Sequence, residues 1–85
     1  MTVTLRPHIS TTNTDDGMVL LDERTGRYFQ LNFSGALILD ALVNGAELQQ
    51  AARLLTQRYT VTHDRALADV TSLIDHLRTA GLLTP

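Results

Sequence analysis

Cysteine and lysine are both absent from this 85-residue chain, and each absence removes a class of chemistry. Without cysteine there is no disulfide, no thiolate nucleophile and no zinc–thiolate site, and nothing hints at an oxidising compartment. Without lysine the seven cations are all arginines, set against nine acids for a formal net charge of -2, and they are spread along the chain without a basic run. That balance argues against a general nucleic-acid binder. No stretch approaches the roughly 18 apolar residues of a membrane span, and the start, M-T-V-T-L-R-P-H, has no long apolar run of the signal-peptide kind. The expected setting is therefore the cytoplasm, with neither membrane nor nucleic acid as partner.

Catalytic signatures are equally scarce. There is no G-x-x-x-x-G-K phosphate loop and no G-x-S-x-G elbow, and Ser34-Gly35 has no base nearby in sequence. His8, His63 and His76 have no metal-ligand spacing and read as solvated surface histidines. Asp15-Asp16-Gly17 is ordinary turn chemistry, not the 12-residue loop of an EF-hand. Asp69 and Asp75 read as solvated charges on a polar helix face. A domain of this size buries about 60% of its unfolded surface and leaves little room for a substrate pocket. The expectation is one non-enzymatic domain without metal or cofactor.

The strongest local pattern is V-L-L-D-E-R-T-G-R-Y-F-Q-L-N, from Val19 to Asn32, which reads as a hairpin around Gly26. A type I turn with a left-handed Gly26 and a G1 bulge pairs Glu23 with Arg27, Leu21 with Phe29 and Val19 with Leu31, placing four bulky apolar side chains on one face. A four-residue loop would instead pair Leu20 with Phe29 and Met18 with Leu31. The bulged register buries more branched bulk and is the expected one. A second bulged turn at Thr14-Asp15-Asp16-Gly17 pairs Thr14 with Met18, and so sets Thr11 against Leu21 and Asn13 against Val19. The result is a three-strand meander with residues 18 to 22 in the centre. Residues 1 to 7 are expected to form a flexible arm, since nothing obvious anchors Val3 or Leu5, and residues 8 to 83 form the domain.

Asn32 suits an N-cap for a helix from Phe33, with Leu37, Ile38, Ala41 and Leu42 at helical spacing and Asn44-Gly45 as the stop. A second, amphipathic helix runs from about Glu47 to Arg58, and a third from about His63 to Ala80, capped by Thr62 and ended by Gly81. On the third helix Ala66, Val70, Leu73 and Leu77 cluster within about 60° of arc and form the expected core stripe. Leu67 and Ile74, then Thr71 and Arg78, make an apolar shoulder beyond it. Leu82 and Leu83 are expected to fold back on the core. Three strands followed by three helices give an α+β fold of winged helix-turn-helix type.

The third strand, R-Y-F-Q-L, is an edge without proline, lysine or inward charge, so an extended peptide could pair with it and bury side chains against the third helix. The arm or a second copy of the chain could cover the same edge. The fold also hosts DNA-binding regulators, which makes a winged-helix regulator the alternative function. Such a regulator needs a basic recognition helix, and these helices offer only scattered arginines.

The hairpin run, together with G-A-L-I-L-D-A-L-V-N-G, L-L-T-Q-R-Y-T-V and A-D-V-T-S-L-I-D-H-L-R-T-A-G-L-L, resembles the PqqD-like family of RiPP recognition elements, over nearly all of His8 to Leu83. The resemblance implies a winged-helix protein without chemistry of its own that binds the leader region of a ribosomally made precursor as an added strand, between strand three and helix three. Within the family the chain is more similar to the stand-alone element of lasso peptide biosynthesis than to the pyrroloquinoline-quinone member, which usually has Pro-Glu where Asp22-Glu23 stand here. That implies a leader with a Tyr-x-x-Pro element, a leader peptidase of cysteine-protease type and an asparagine-synthetase-like cyclase as partners. Carried over by position, the strand contacts are Arg27, Tyr28, Phe29, Gln30 and Leu31, and the helix wall is Leu67, Val70, Ile74 and Arg78. Phe29 and Leu31 either line the trough or support it from the core.

Overall fold

A computed structural model describes residues 3–84. Met1, Thr2 and Pro85, which belong to the expected arm and tail, lie outside the described residues. Strands β1 (Ile9–Thr14), β2 (Gly17–Asp22) and β3 (Tyr28–Asn32) precede helices α1 (Phe33–Val43), α2 (Leu48–Arg58) and α3 (His63–Thr79). The sheet is antiparallel with β2 in the centre, so β1 and β3 are its edges.

Both expected registers are off by one residue. β2 pairs with β3 through Leu20–Phe29 and Met18–Leu31, the four-residue-loop register, and β1 pairs with β2 through Asn13–Met18 and Thr14–Gly17. Because side chains alternate, the one-residue shift moves Met18 and Leu20 to the core face and turns Val19 and Leu21 outward. Leu20 is completely buried. For the β2–β3 pair the reason lies at Asp22. Its Oδ1 accepts from the amides of Arg24 (2.9 Å) and Thr25 (3.3 Å). Its own amide donates to the Arg27 carbonyl (2.8 Å), and its carbonyl accepts from the Gly26 amide (2.8 Å). The side chain thus satisfies loop donors in an Asx turn, and Asp22 and Arg27 close a four-residue loop with Gly26 at φ 77°.

At the other turn no non-glycine residue has positive φ, which excludes the type I′ form for Asp15-Asp16. Gly17 instead carries φ 152°, and a Cβ there would collide with the Leu31 carbonyl oxygen and lie 2.7 Å from the Asn32 carbonyl carbon. Glycine at this position lets β2 approach the end of β3.

The helices start and stop where their capping residues stand. Asn32 Oδ1 accepts from the Gly35 amide (2.9 Å), the Glu47 amide donates to Gln50 Oε1 (2.8 Å), and Thr62 Oγ1 accepts from the Arg65 amide (3.2 Å). At the end of α3 the Leu82 amide donates to the Leu77 carbonyl (3.0 Å) around Gly81 at φ 78°, a Schellman closure that turns Leu82 and Leu83 into the core. The face of α1 that is buried comprises Gly35, Ile38, Leu39 and Leu42, whereas Leu37 and Ala41 are only partly covered.

The stripe on α3 is also rotated from the expected one. Ala66, Val70, Ile74 and Leu77 are buried, while Leu73 is half-buried, so Ile74 belongs to the core and not to an apolar shoulder. The i, i+4 row of Ala66, Val70 and Ile74 forms this stripe, and Ala51 and Ala52, both fully buried on α2, are small enough for α3 to pack closely against that helix.

Nor is the start of the chain unanchored. The Arg6 amide donates to the Leu82 carbonyl (2.9 Å), its Nε to the Leu83 carbonyl (3.0 Å), and the Thr84 amide to the Thr4 carbonyl (2.9 Å). Leu5 and Leu83 form a bridge, and Val3 is 4% exposed. The partner of this segment lies about eighty residues away, beyond the reach of any local pattern.

Candidate functional site

β3 presents its outer edge to solvent, and among the described residues nothing pairs with it. Residues 4 to 6, which could have covered it, bond instead to the C-terminal segment. Alternation of the antiparallel ladder determines which groups are open. The Asp22 amide bonds to Arg27, so Leu20–Phe29 and Met18–Leu31 are the hydrogen-bonded pairs, whereas Tyr28 and Gln30 sit in the non-bonded pairs. The amides and carbonyls of Tyr28 and Gln30 therefore point away from the sheet. Asn32 contributes its amide, while its side chain caps α1.

The side chains of β3 divide between two faces. Tyr28 and Gln30 are exposed on the outer face, Tyr28 by 67%, whereas Phe29 and Leu31 are half-buried and packed against the core. The Arg27 guanidinium rests over the Phe29 ring, 5.5 Å from its centroid. No Cα of β3 lies within 8 Å of one of α3, although α1 packs against both. The two elements therefore flank α1 without closing on each other.

The expected helix wall is only partly available. Leu67 is half-buried and Arg78 is exposed, but Val70 (0%) and Ile74 (3%) are core residues whose side chains lie beneath the surface. A shallow hollow along α3 is lined by Asp64, Leu67, Ala68, Thr71, Ser72, Asp75 and His76. No set of three or more metal-ligating side chains gathers among the described residues, and no helix there is long and apolar enough to cross a membrane.

Asp22 is the residue that sequence reasoning passed over. Its partial burial opposes ionisation. The two loop amides, with His8 (3.8 Å from Oδ1) and Arg24 nearby, outweigh that cost and hold its carboxyl below the usual carboxylate range. The signal available in the sequence was an Asp four residues before a Gly, the pattern of a side-chain-capped loop.

The model of the family described as coenzyme PQQ synthesis protein D (PqqD) matches residues 17–83. The chain belongs to the PqqD family. The matched span includes β2, β3 and all three helices, and so both flanks of the candidate site. Among solved structures, a lasso peptide synthetase B1 complexed with the leader peptide superposes with a TM-score of 0.94 at 41% identity, covering 100% of each chain. TbiB1 in complex with the TbiA(beta) leader peptide superposes with a TM-score of 0.84 at 25% identity, covering 94% of this chain and 93% of that one. No curated protein matches the chain. Both structures share the order of three antiparallel strands and three helices.

Proposed function

We propose that this PqqD-family chain is a non-catalytic recognition protein of lasso peptide biosynthesis that binds the leader region of a precursor peptide as a strand added to β3. The observation that carries the reading is the likeness over its whole length, at 41% identity, to a lasso peptide synthetase B1 that holds a leader peptide. The physics of the edge supports it. Tyr28 and Gln30 offer two amides and two carbonyls to an incoming strand, and roughly four such bonds at about 1 kcal/mol each, with apolar anchors at about 1.5 to 3 kcal/mol each, must exceed the cost of ordering the peptide. Leu67 and Arg78 form the helix side of the trough, with Val70 and Ile74 supporting it from below. The bound leader, with its Tyr-x-x-Pro element in the trough, is presented to a leader peptidase of cysteine-protease type and an asparagine-synthetase-like cyclase in the cytoplasm.

The test is a fluorescence-polarisation titration of the leader peptide bound by that lasso peptide synthetase B1, alongside a random DNA duplex. Saturable micromolar binding of the peptide, and none of the duplex, is the expected result. Gln30→Pro removes one outward donor and no ladder bond to β2, so it should weaken binding roughly two- to tenfold while leaving the melting transition cooperative. Unchanged affinity in that variant would place the peptide elsewhere, and absence of saturable binding would overturn the reading.

A further inference from the structure

We infer that Arg27 is a specificity-determining residue of the strand-addition site, selecting a peptide that carries a carboxylate on the core-facing side beside Phe29. The inference rests on the proposed function above and deepens it. Arg27 stands at the open end of β3, exposed, on the same side of the sheet as Phe29. With the guanidinium over the half-buried ring, 5.5 Å from its centroid, one face of the cation is turned to the aromatic and the contact favours this placement of the side chain. Its in-plane N–H donors remain available at the rim.

Among the described residues no carboxylate lies within ion-pair distance of Arg27, and two of the acids, Asp22 and Asp69, face His8 and Arg65 instead. Asp22, its neighbour across the loop, already serves the Arg24 and Thr25 amides through Oδ1 and faces His8. A strand added beyond Tyr28 and Gln30 brings alternate side chains over Phe29 and Leu31, and a carboxylate among them next to Phe29 meets a positioned fork of donors. A cation at the same place meets repulsion. The unpaired guanidinium thus discriminates among peptides whose apolar anchors are equivalent.

The experiment uses the leader peptide of the same lasso peptide synthetase B1 as probe. Each residue in turn is replaced by Asp and by Asn, and the affinities of the two series for the full chain are compared. One position should bind about three- to tenfold more tightly as Asp than as Asn, and the gap should shrink at high salt. Arg27→Gln should erase the gap, Arg27→Lys should keep part of it, and Arg24→Gln should leave it unchanged. Melting of the variants at the wild-type temperature ensures that the fold is intact. A leader that binds without any Asp preference, or with one that survives Arg27→Gln or is lost in Arg24→Gln, would overturn the role of Arg27 alone. A parent leader that does not bind at all would overturn strand addition and this inference with it.

Discussion

Asp22 shows how one side chain can close a hairpin in one register. Its carboxylate is anchored by two loop amides, and the hairpin it closes dictates which of Val19, Leu20 and Leu21 faces the core. The folded-state pKa is depressed, so the carboxylate's contribution to stability is fully present above the unfolded value of about 3.9 and is lost as pH falls through the lower folded value. Asp22→Asn keeps an oxygen for the two amides but loses the charge. Urea midpoints of wild type and Asp22→Asn should therefore differ near neutral pH, with wild type the more stable, and converge in the acid range below about pH 4. A constant gap across that range would show that the carboxylate's ionisation has no part in stabilising the loop.

At the scale of elements, what could be seen in the sequence was whatever a local pattern determines. Asn32, Thr62, Gly45 and Gly81 marked helix ends correctly because a cap depends on a few consecutive residues. The central place of β2 followed from two short turns. The strand registers and the rotation of α3 were out of reach of the same reasoning, because each depends on a comparison of partners. Branched bulk favours Val19 and Leu21 inside, yet Met18 and Leu20 are the side chains that enter the core, and α1 packs on β2. On α3 the expected stripe and the observed one share Ala66, Val70 and Leu77, and differ only in exchanging Leu73 for Ile74.

That exchange separates two kinds of residue in the proposed trough. Ile74→Ala empties a packed site and should cost about 2 to 5 kcal/mol of stability, whereas Leu67→Ala, at a half-buried position, should cost about 1 kcal/mol. For peptide binding measured on the folded fraction the order should reverse, with Leu67→Ala the more damaging. Equal losses of binding in both variants, at temperatures where both are folded, would mean that α3 acts only through its packing. Ile74→Glu is no test of the trough, because it buries an unpaired carboxylate and is expected to unfold the domain.

The whole molecule is tied together by its two ends. Thr4, Leu5 and Arg6 lie antiparallel to Leu82, Leu83 and Thr84, and Val3 enters the same core as Leu82 and Leu83. Deleting residues 1 to 6 forfeits the burial of Val3, about 1.5 to 2 kcal/mol, and several hydrogen bonds at about 1 kcal/mol each. It also releases about 1 to 2 kcal/mol of ordering cost per freed residue, so most of the loss is offset. We expect a net loss of about 1 to 2 kcal/mol, seen as a melting temperature lower by roughly 5 to 15 °C for a chain of this length. Among the described residues no hydrogen bond or bridge joins β3 to this clasp, so leader binding below the new melting point should keep its affinity. An unchanged melting temperature would mean the clasp contributes nothing to stability. Loss of cooperative melting would make the first residues an integral part of the domain, and loss of binding alone would show that the clasp positions α3 against the peptide.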